Sequence, residues 1–167
     1  MTASVPPAKP APSGPSGSGA PPRTAFLLAQ LGAEAASRFA DRVAALDLSP
    51  REAGAIRVLG RTPGLSQREL AARLGTVPAR LVALVDELER KGLVVRERNE
   101  ADRRNYVLSL SEPGERLLGQ LRGVAQEHQA DMLSPLDSDE QRALAALLHK
   151  LAQGSGLGPD GHPGYRG

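Results

Sequence analysis

The sequence predicts a mainly α-helical fold that carries a small β-hairpin. Three observations predict it. Apolar residues recur at spacings near three and four through most of residues 24–151, and strand-like runs are confined to 93–98 and 106–110. Capping boxes, in which a Ser or Asp is followed three residues later by Glu, mark helix starts at Ser49/Glu52, Ser66/Glu69 and Asp137/Glu140. Residues 65–110 then run helix, glycine break, helix and hairpin in that order. This is the arrangement of a winged helix-turn-helix, a module that lays its second helix in a DNA groove. The predicted fold class is therefore mainly α with a small β-wing: a winged helix-turn-helix plus a helical dimerisation region drawn from both chain ends.

The elements follow in order. Residues 1–22 are Pro, Ala, Gly and Ser with one Lys, so no apolar period offsets the entropy of ordering them, and a disordered tail is expected. Residues 24–46 place Phe26, Leu27, Leu31, Ala35, Phe39, Val43 and Leu46 on one stripe of a long amphipathic helix. Ser49, Pro50 and Glu52 open the next helix, with proline at the favoured first position. It stops before Thr62-Pro63-Gly64. A short helix over 66–74 buries Leu70 and Leu74 and ends at Gly75, where the missing Cβ admits a left-handed turn. The second motif helix starts near 76–78 and runs to Lys91. Leu81, Leu84, Val85 and Leu88 form its buried face, and Gly92 follows as a C-terminal cap. Two strands at 93–98 and 106–110 flank a polar tip at 99–105. Ser111 and Pro113 open a helix that reaches Ser134-Pro135, and a last helix from Asp137 carries Leu144, Leu147, Leu148 and Leu151. From residue 154 the chain is rich in Gly and Pro, and a second disordered tail is expected. The domain plan is a tail (1–22), an N-terminal dimerisation helix (23–48), the winged helix-turn-helix (49–110), C-terminal dimerisation helices (111–153) and a tail (154–167). The helices at the two ends are not needed to fold a winged helix, and their apolar stripes require cover. A second copy of the chain is the simplest cover.

Composition removes several functions. The chain of 167 residues has no Cys, which excludes disulfides, thiolate catalysis, thiol redox sensing and Cys-ligated zinc. Aromatics are only 2%, which argues against single-strand binding on stacked rings. The longest purely apolar run, residues 143–148, is too short to cross a bilayer, and the N-terminus lacks the apolar core of an export signal. A cytoplasmic protein with no membrane association is expected. The net charge is +2, but residues 61–104 hold ten Arg/Lys and seven Asp/Glu, an excess of +3 within the motif region. No nucleophile–base pair, metal cluster or phosphate loop appears at mechanistic spacing, so neither an enzyme nor a cofactor is expected. His128, His149 and His162 lie on separate segments and are weak metal ligands.

Four stretches then bear a family resemblance: LSPREAGAIRVLGRTPGLSQRELAARLG, LVALVDELERKGLV, the hairpin ADRRNYVLSLSEPGERLL, and the helical ends in their places. Over residues 26–153 the chain resembles the MarR family of multiple-antibiotic-resistance type regulators. The resemblance implies a homodimer on a palindromic double-stranded operator, each second motif helix in a major groove and each wing at the adjacent minor groove. It also implies a repressor released by a small effector, often an anionic aromatic compound, bound between the dimerisation and DNA-binding regions. Arg104 matches the wing arginine that enters the minor groove, a narrow and negative slot suited to a guanidinium. Asp102 would hold it by a charge-assisted hydrogen bond, and Arg103 is placed for phosphate. Ser66, Gln67 and Arg68 match the phosphate-contacting start of the first motif helix. Arg73 and Arg98 join the DNA-binding set.

The second motif helix departs from the family pattern. Val77, Ala79 and Ala83 stand where many members have a polar cap, a Ser or Thr, and an Arg or Thr. Arg80 remains as a reader able to grip guanine through two hydrogen bonds, and Ala79 and Ala83 can touch thymine methyls. Thr76 is expected to take over the cap. For the effector, Arg38, Phe39 and Arg42 on the first helix are the residues placed to face a pocket. The absence of Cys and Trp removes the thiol-oxidation branch and a tryptophan-lined pocket. The alternative to a DNA-binding regulator is a winged-helix protein-interaction module that has lost sequence reading.

Overall fold

A computed structural model describes residues 23–98 and 106–157. The expected tail at 1–22, the wing tip with Asp102, Arg103 and Arg104, and residues 158–167 of the expected C-terminal tail lie outside the described residues. Helices α1 (Thr24–Ala44), α2 (Pro50–Arg61), α3 (Gln67–Leu74), α4 (Pro78–Arg90), α5 (Glu112–Leu133) and α6 (Ser138–Gly154) alternate with strands β1 (Leu65–Ser66), β2 (Val94–Arg98) and β3 (Tyr106–Leu110). The order is that of a winged helix flanked by long helices. The last helix continues to Gly154, the first residue of the stretch assigned to the tail.

All three capping boxes form. The Ser49 hydroxyl accepts from the Glu52 N–H at 3.2 Å while the Glu52 carboxylate accepts from the Ser49 N–H at 2.7 Å. Ser66/Glu69 and Asp137/Glu140 repeat the arrangement. Each box satisfies backbone donors that the first helical turn leaves open. Gly75 ends α3 at φ +67°, a left-handed conformation that costs a residue with a Cβ about 1–2 kcal/mol. The expected cap at Thr76 does not form. Pro78 takes the first helical position, so the N-cap falls on Val77, whose side chain makes no capping bond.

The sheet has three strands, not two. β2 and β3 pair antiparallel from Val94↔Leu110 to Arg98↔Tyr106, and β1 adds to the other edge of β3 through Leu65↔Leu108. A two-residue strand has no side-chain period to read, which is why only the hairpin was expected. At the base of the sheet Ser111 caps α5. Its hydroxyl accepts from the Gly114 N–H at 3.1 Å and donates to the Gly92 carbonyl at 2.6 Å. A Cβ at Gly114 would collide with the Leu93 carbonyl oxygen, so the close seating of α5 on the wing requires glycine there.

The core belongs to the winged helix. Ile56 and Leu59 of α2, Leu70 and Leu74 of α3, Leu81, Val85 and Leu88 of α4, and Leu108 of β3 are sealed from solvent, with Val43, Leu118 and Leu121 added from α1 and α5. The flanking helices are different. α6 buries no residue, and Leu147 is 62% exposed, Leu151 54%, and Phe26 and Leu31 of α1 57% and 58%. No helix among the described residues is long and apolar enough to cross a membrane.

Two charged networks tie elements together. Glu52 is buried, and Lys91, just past the end of α4, reaches its carboxylate at 2.9 Å and donates to the Asp47 carbonyl at 2.6 Å. Burial alone would raise the Glu52 pKa, but bonds from Lys91 and Ser49 outweigh it and hold the carboxyl below its ordinary range. Burial likewise opposes the charge on Lys91, yet Glu52 and its acidic neighbours raise the ammonium above its ordinary value. The second network centres on Arg96 of β2, paired with Asp86 at 2.6 Å and Glu89 at 2.5 Å on α4. With its amide oriented to satisfy both groups, Gln67 of α3 accepts from the same guanidinium at 2.8 and 3.2 Å.

Both networks are open to test. Lys91→Met leaves Glu52 buried and unpaired and should cost about 3 kcal/mol at neutral pH in urea unfolding. The sign with pH follows from the two shifts. The Glu52 contribution is present above the carboxyl's unfolded value and fades as pH falls through its lower folded value. The Lys91 contribution is present below the ordinary lysine value and fades as pH rises through its higher folded value. The variant's deficit should therefore shrink in acid, where Glu52 enters the fold neutral; an equal deficit at both pH values contradicts the assignment. Arg96→Ala should cost about 1 kcal/mol, because its partners are partly exposed. Hydrogen exchange should accelerate at the β2 amides and not at those of α2.

Candidate nucleic-acid interface

α4 presents a defined outer face because its inner one is buried. Leu81, Val85 and Leu88 point into the core, so helical periodicity turns Ala79, Arg80, Val82 and Ala83 outward, and all four are exposed. Among the described residues Arg80 has no ion-pair partner, which leaves its five donors for a ligand. The acidic groups farther along α4 are engaged. Asp86 holds Arg96, and Arg90 bonds Glu87 and depresses its pKa. What remains for an approaching partner is one guanidinium among alkyl groups.

The other predicted DNA contacts fall into three groups. Arg68 of α3 and Arg98 of β2 are exposed, and Arg98 is the last described residue before the wing tip, paired across the hairpin with Tyr106. Arg73 is exposed but tethered, donating to the Thr62 hydroxyl at 3.2 Å, which joins α3 to the end of α2. Ser66, Gln67 and Thr76 are half-buried. Ser66 spends its hydroxyl on Glu69, whose pKa that bond lowers, and Gln67 turns to Arg96. The role of Arg96 in holding β2, α4 and α3 together was not legible, because its partners lie on two other elements. Asp102, Arg103 and Arg104 lie outside the described residues.

A second feature lies where the long helices meet the winged domain. A cavity of about 710 Å³ opens between α1, α2 and α5, with Ala35, Phe39, Leu118 and Leu121 among its apolar lining and Arg57, Arg61 and Arg122 lining it as well. Of the three expected effector residues only Phe39 lines it. Arg38 pairs with Glu34 at 2.6 Å on the exposed side of α1, and Arg42 pairs with Asp131 and binds α1 to α5. The arginines of the cavity were missed because each, read along its own helix, looks like an ordinary solvated residue. His128 also lines the cavity, with its ring centroid 5.7 Å from that of Phe39. Its Nδ1 is shielded from solvent without a hydrogen-bond partner among the described residues. Burial lowers its pKa, Arg42 and Arg38 lower it further, and Asp131 opposes them, so the site favours the uncharged imidazole. His149 is exposed, with Nδ1 3.1 Å from the Ala145 carbonyl, and His162 lies outside the described residues. Among the described residues no three His, Cys, Asp or Glu gather as a metal site would require.

Comparisons with known proteins converge on this geometry. A family model described as MarR family matches residues 46–105. A Thauera aromatica protein, named as a regulatory protein for the hcr operon, is 33% identical over 104 residues, or 62% of this chain; the chain spans 63% of that relative's length. The repressor CouR bound to a 23-mer DNA duplex is 30% identical with a TM-score of 0.69, covering 77% of this chain and 91% of CouR. CouR from Rhodococcus jostii has also been solved with p-coumaroyl-CoA, at 26% identity and a TM-score of 0.67 over 78% of this chain and 92% of that one. A Mycobacterium tuberculosis MarR family protein in complex with DNA is 27% identical with a TM-score of 0.68, over 80% and 98% of the two chains. The winged helix, its flanking helices and these likenesses together place the chain in the MarR family, a family of DNA-binding transcriptional regulators rather than of enzymes.

Proposed function

We propose that this chain is a homodimeric repressor that binds a palindromic double-stranded operator in the cytoplasm and is released by a small anionic aromatic effector. The observation that carries the DNA-binding reading is the outer face of α4, exposed at the end of a helix-turn-helix and braced to the wing by Arg96. Arg80 is set to take guanine in the major groove, and exposed Arg68, Arg73 and Arg98 supply phosphate contacts that fix register without reading sequence. In the same reading the family resemblance assigns Asp102, Arg103 and Arg104 to the minor groove. The DNA complex of CouR supports the reading by likeness.

The dimer rests on the uncovered side chains of α1 and α6. Phe26, Leu31, Leu147 and Leu151 expose apolar surface that a single chain leaves in water, and burying it stabilises association by roughly 25 cal/mol per Å². A two-fold pairing through these helices would present two copies of α4 to a two-fold site. The effector reading rests on the cavity. Its aromatic and aliphatic walls suit a ring, and the lining arginines suit a carboxylate or phosphate. Its walls come from both α2 and the long helices, so a ligand there can favour one angle between domain and dimer over another. The structure of CouR bound to p-coumaroyl-CoA supports the effector reading by likeness.

Selection of duplexes from a random-sequence pool, followed by titration against salt, tests the DNA reading. Affinity should fall steeply with salt as phosphate counterions are released. Arg80→Ala should cost about 1–3 kcal/mol on the selected sequence and much less on random DNA. Equal losses on both would make Arg80 a phosphate contact, and a folded dimer that binds no duplex at low salt would favour the protein-interaction module. Leu151→Glu should convert the dimer to monomer in sedimentation while the winged-helix core keeps its unfolding transition. A variant that remains dimeric would place the interface elsewhere.

A further inference from the structure

The recognition helix is unusual in what it leaves bare. Val77 is 55% exposed and Val82 43%, and Ala79 and Ala83 lie beside them on the outer face. Neither valine is explained by folding. Valine is among the poorest N-cap residues, and in an exposed helix interior its branched side chain loses rotamer freedom that a Lys, Gln or Arg would keep. Both positions hold alkyl surface in water where a polar residue would serve the helix better. The groups that might read bases by hydrogen bonds are committed elsewhere: Asp86 and Gln67 to Arg96, Glu87 to Arg90. At the start of α4 the unengaged exposed side chains are thus those of Val77, Ala79, Val82 and Ala83 beside the Arg80 guanidinium, while Asp86 and Arg90 beyond them are ion-paired.

The major groove offers one apolar feature to such a face, the C5-methyl group of a pyrimidine, carried by thymine and by 5-methylcytosine. We propose that Val77, Ala79, Val82 and Ala83 form a methyl-reading surface, so that operator specificity comes from C5-methyl groups placed around a guanine held by Arg80. This rests on the DNA-binding reading and adds the chemistry by which the sequence is recognised. Ala79 and Ala83 stand one turn apart near the middle of the outer face, with Val82 and Arg80 on its two flanks. The short side chains let the helix backbone approach the groove floor, Val82 extends the apolar contact along one flank, and Val77 exposes its own at the N-cap. Specificity of this kind needs shape and dryness rather than donors. It accounts for a helix whose first two turns direct mainly alkyl groups outward, while the outward Asp86 and Arg90 farther along are held in ion pairs.

The test uses the full-length chain and one duplex selected from a random pool. At each pyrimidine of the half-site four versions are compared: thymine, uracil, cytosine and 5-methylcytosine, each with its complementary purine. If methyls are read, the methylated member of each pair binds tighter at one or more positions, by about fourfold per buried methyl, in both base-pair contexts. Val82→Ala and Val77→Ala, at exposed positions that leave the core untouched, should reduce the thymine-to-uracil ratio without equalising selected and random DNA. Uracil binding as well as thymine throughout the half-site, while random DNA stays weak, overturns the proposal and leaves the DNA-binding reading intact. A methyl effect unchanged in both valine variants also overturns it, by assigning the effect to duplex shape. Failure to bind any duplex removes both readings.

Discussion

Ile56 and Leu59 of α2 are sealed from water, and the side chains around them come from every part of the winged domain and from the two long helices beside it. Burying residues of this size stabilises the fold by roughly 1.5–3 kcal/mol each, and no pair of neighbouring helices could do it alone. α2 therefore sets where everything else must lie. α3 and α4 pack on it, the sheet closes the cluster through Leu65, Val94 and Leu108, and α5 crosses it with Leu118 and Leu121. Gly60 belongs to the same constraint, because a Cβ there would run into Leu118. The Glu52–Lys91 pair then fixes the start of α2 to the end of α4. A buried pair of this kind adds little net stability, but it penalises any arrangement that separates its members. The angle at which α4 leaves the domain is consequently defined by packing on one side and by charge on the other.

The long helices obey a different rule. Their apolar stripes are as regular as those of α2, yet α6 buries nothing and the N-terminal half of α1 stays in water. The chain thus divides into a part whose core is complete and a part whose core is half built. The cavity lies at the seam. Its walls belong to both parts, and Arg42 with Asp131 clamps α1 to α5 close beside it. A ligand in such a place acts on an angle between two packed bodies, so a small contact can be expressed as a large displacement at α4.

How much of this could be read from residues alone depended on range. The capping boxes are three residues long, and all three formed as expected. Gly75 in the left-handed turn and the buried stripe of α4 are equally local, and they too were legible. β1 was not, because Leu65 and Ser66 acquire strand geometry only by pairing with Leu108 and Val107, some forty residues away. The Thr76 cap failed because the fixed geometry of Pro78, rather than hydrogen-bonding capacity, decides where α4 begins. Gln67 reads as a solvent-facing polar residue until Arg96 is folded beside it. The cavity arginines are the extreme case: Arg57 and Arg61 share one face of α2, but Arg122 joins them only when α5 crosses that helix.

The recognition helix is where local and long-range information meet. Its sequence shows few donors, which read alone suggests weak recognition. Exposure changes the meaning of that scarcity, since Val77 and Val82 spend nothing on the core and stand bare beside Arg80. A regulator can divide its task. In the proposed reading the arginines of α3 and β2 would supply affinity that any duplex satisfies, leaving the helix only to tell one duplex from another. Discrimination by alkyl contact suits that division, because a misplaced cytosine amine against a methyl-lined surface loses its water without gaining an acceptor. An alkyl surface beside one guanidinium can then reject wrong sequences by leaving their polar groups unpaired, provided the helix is held in place. The Arg96 bridge to β2 and the Lys91 latch to α2 hold it from the two sides of α4.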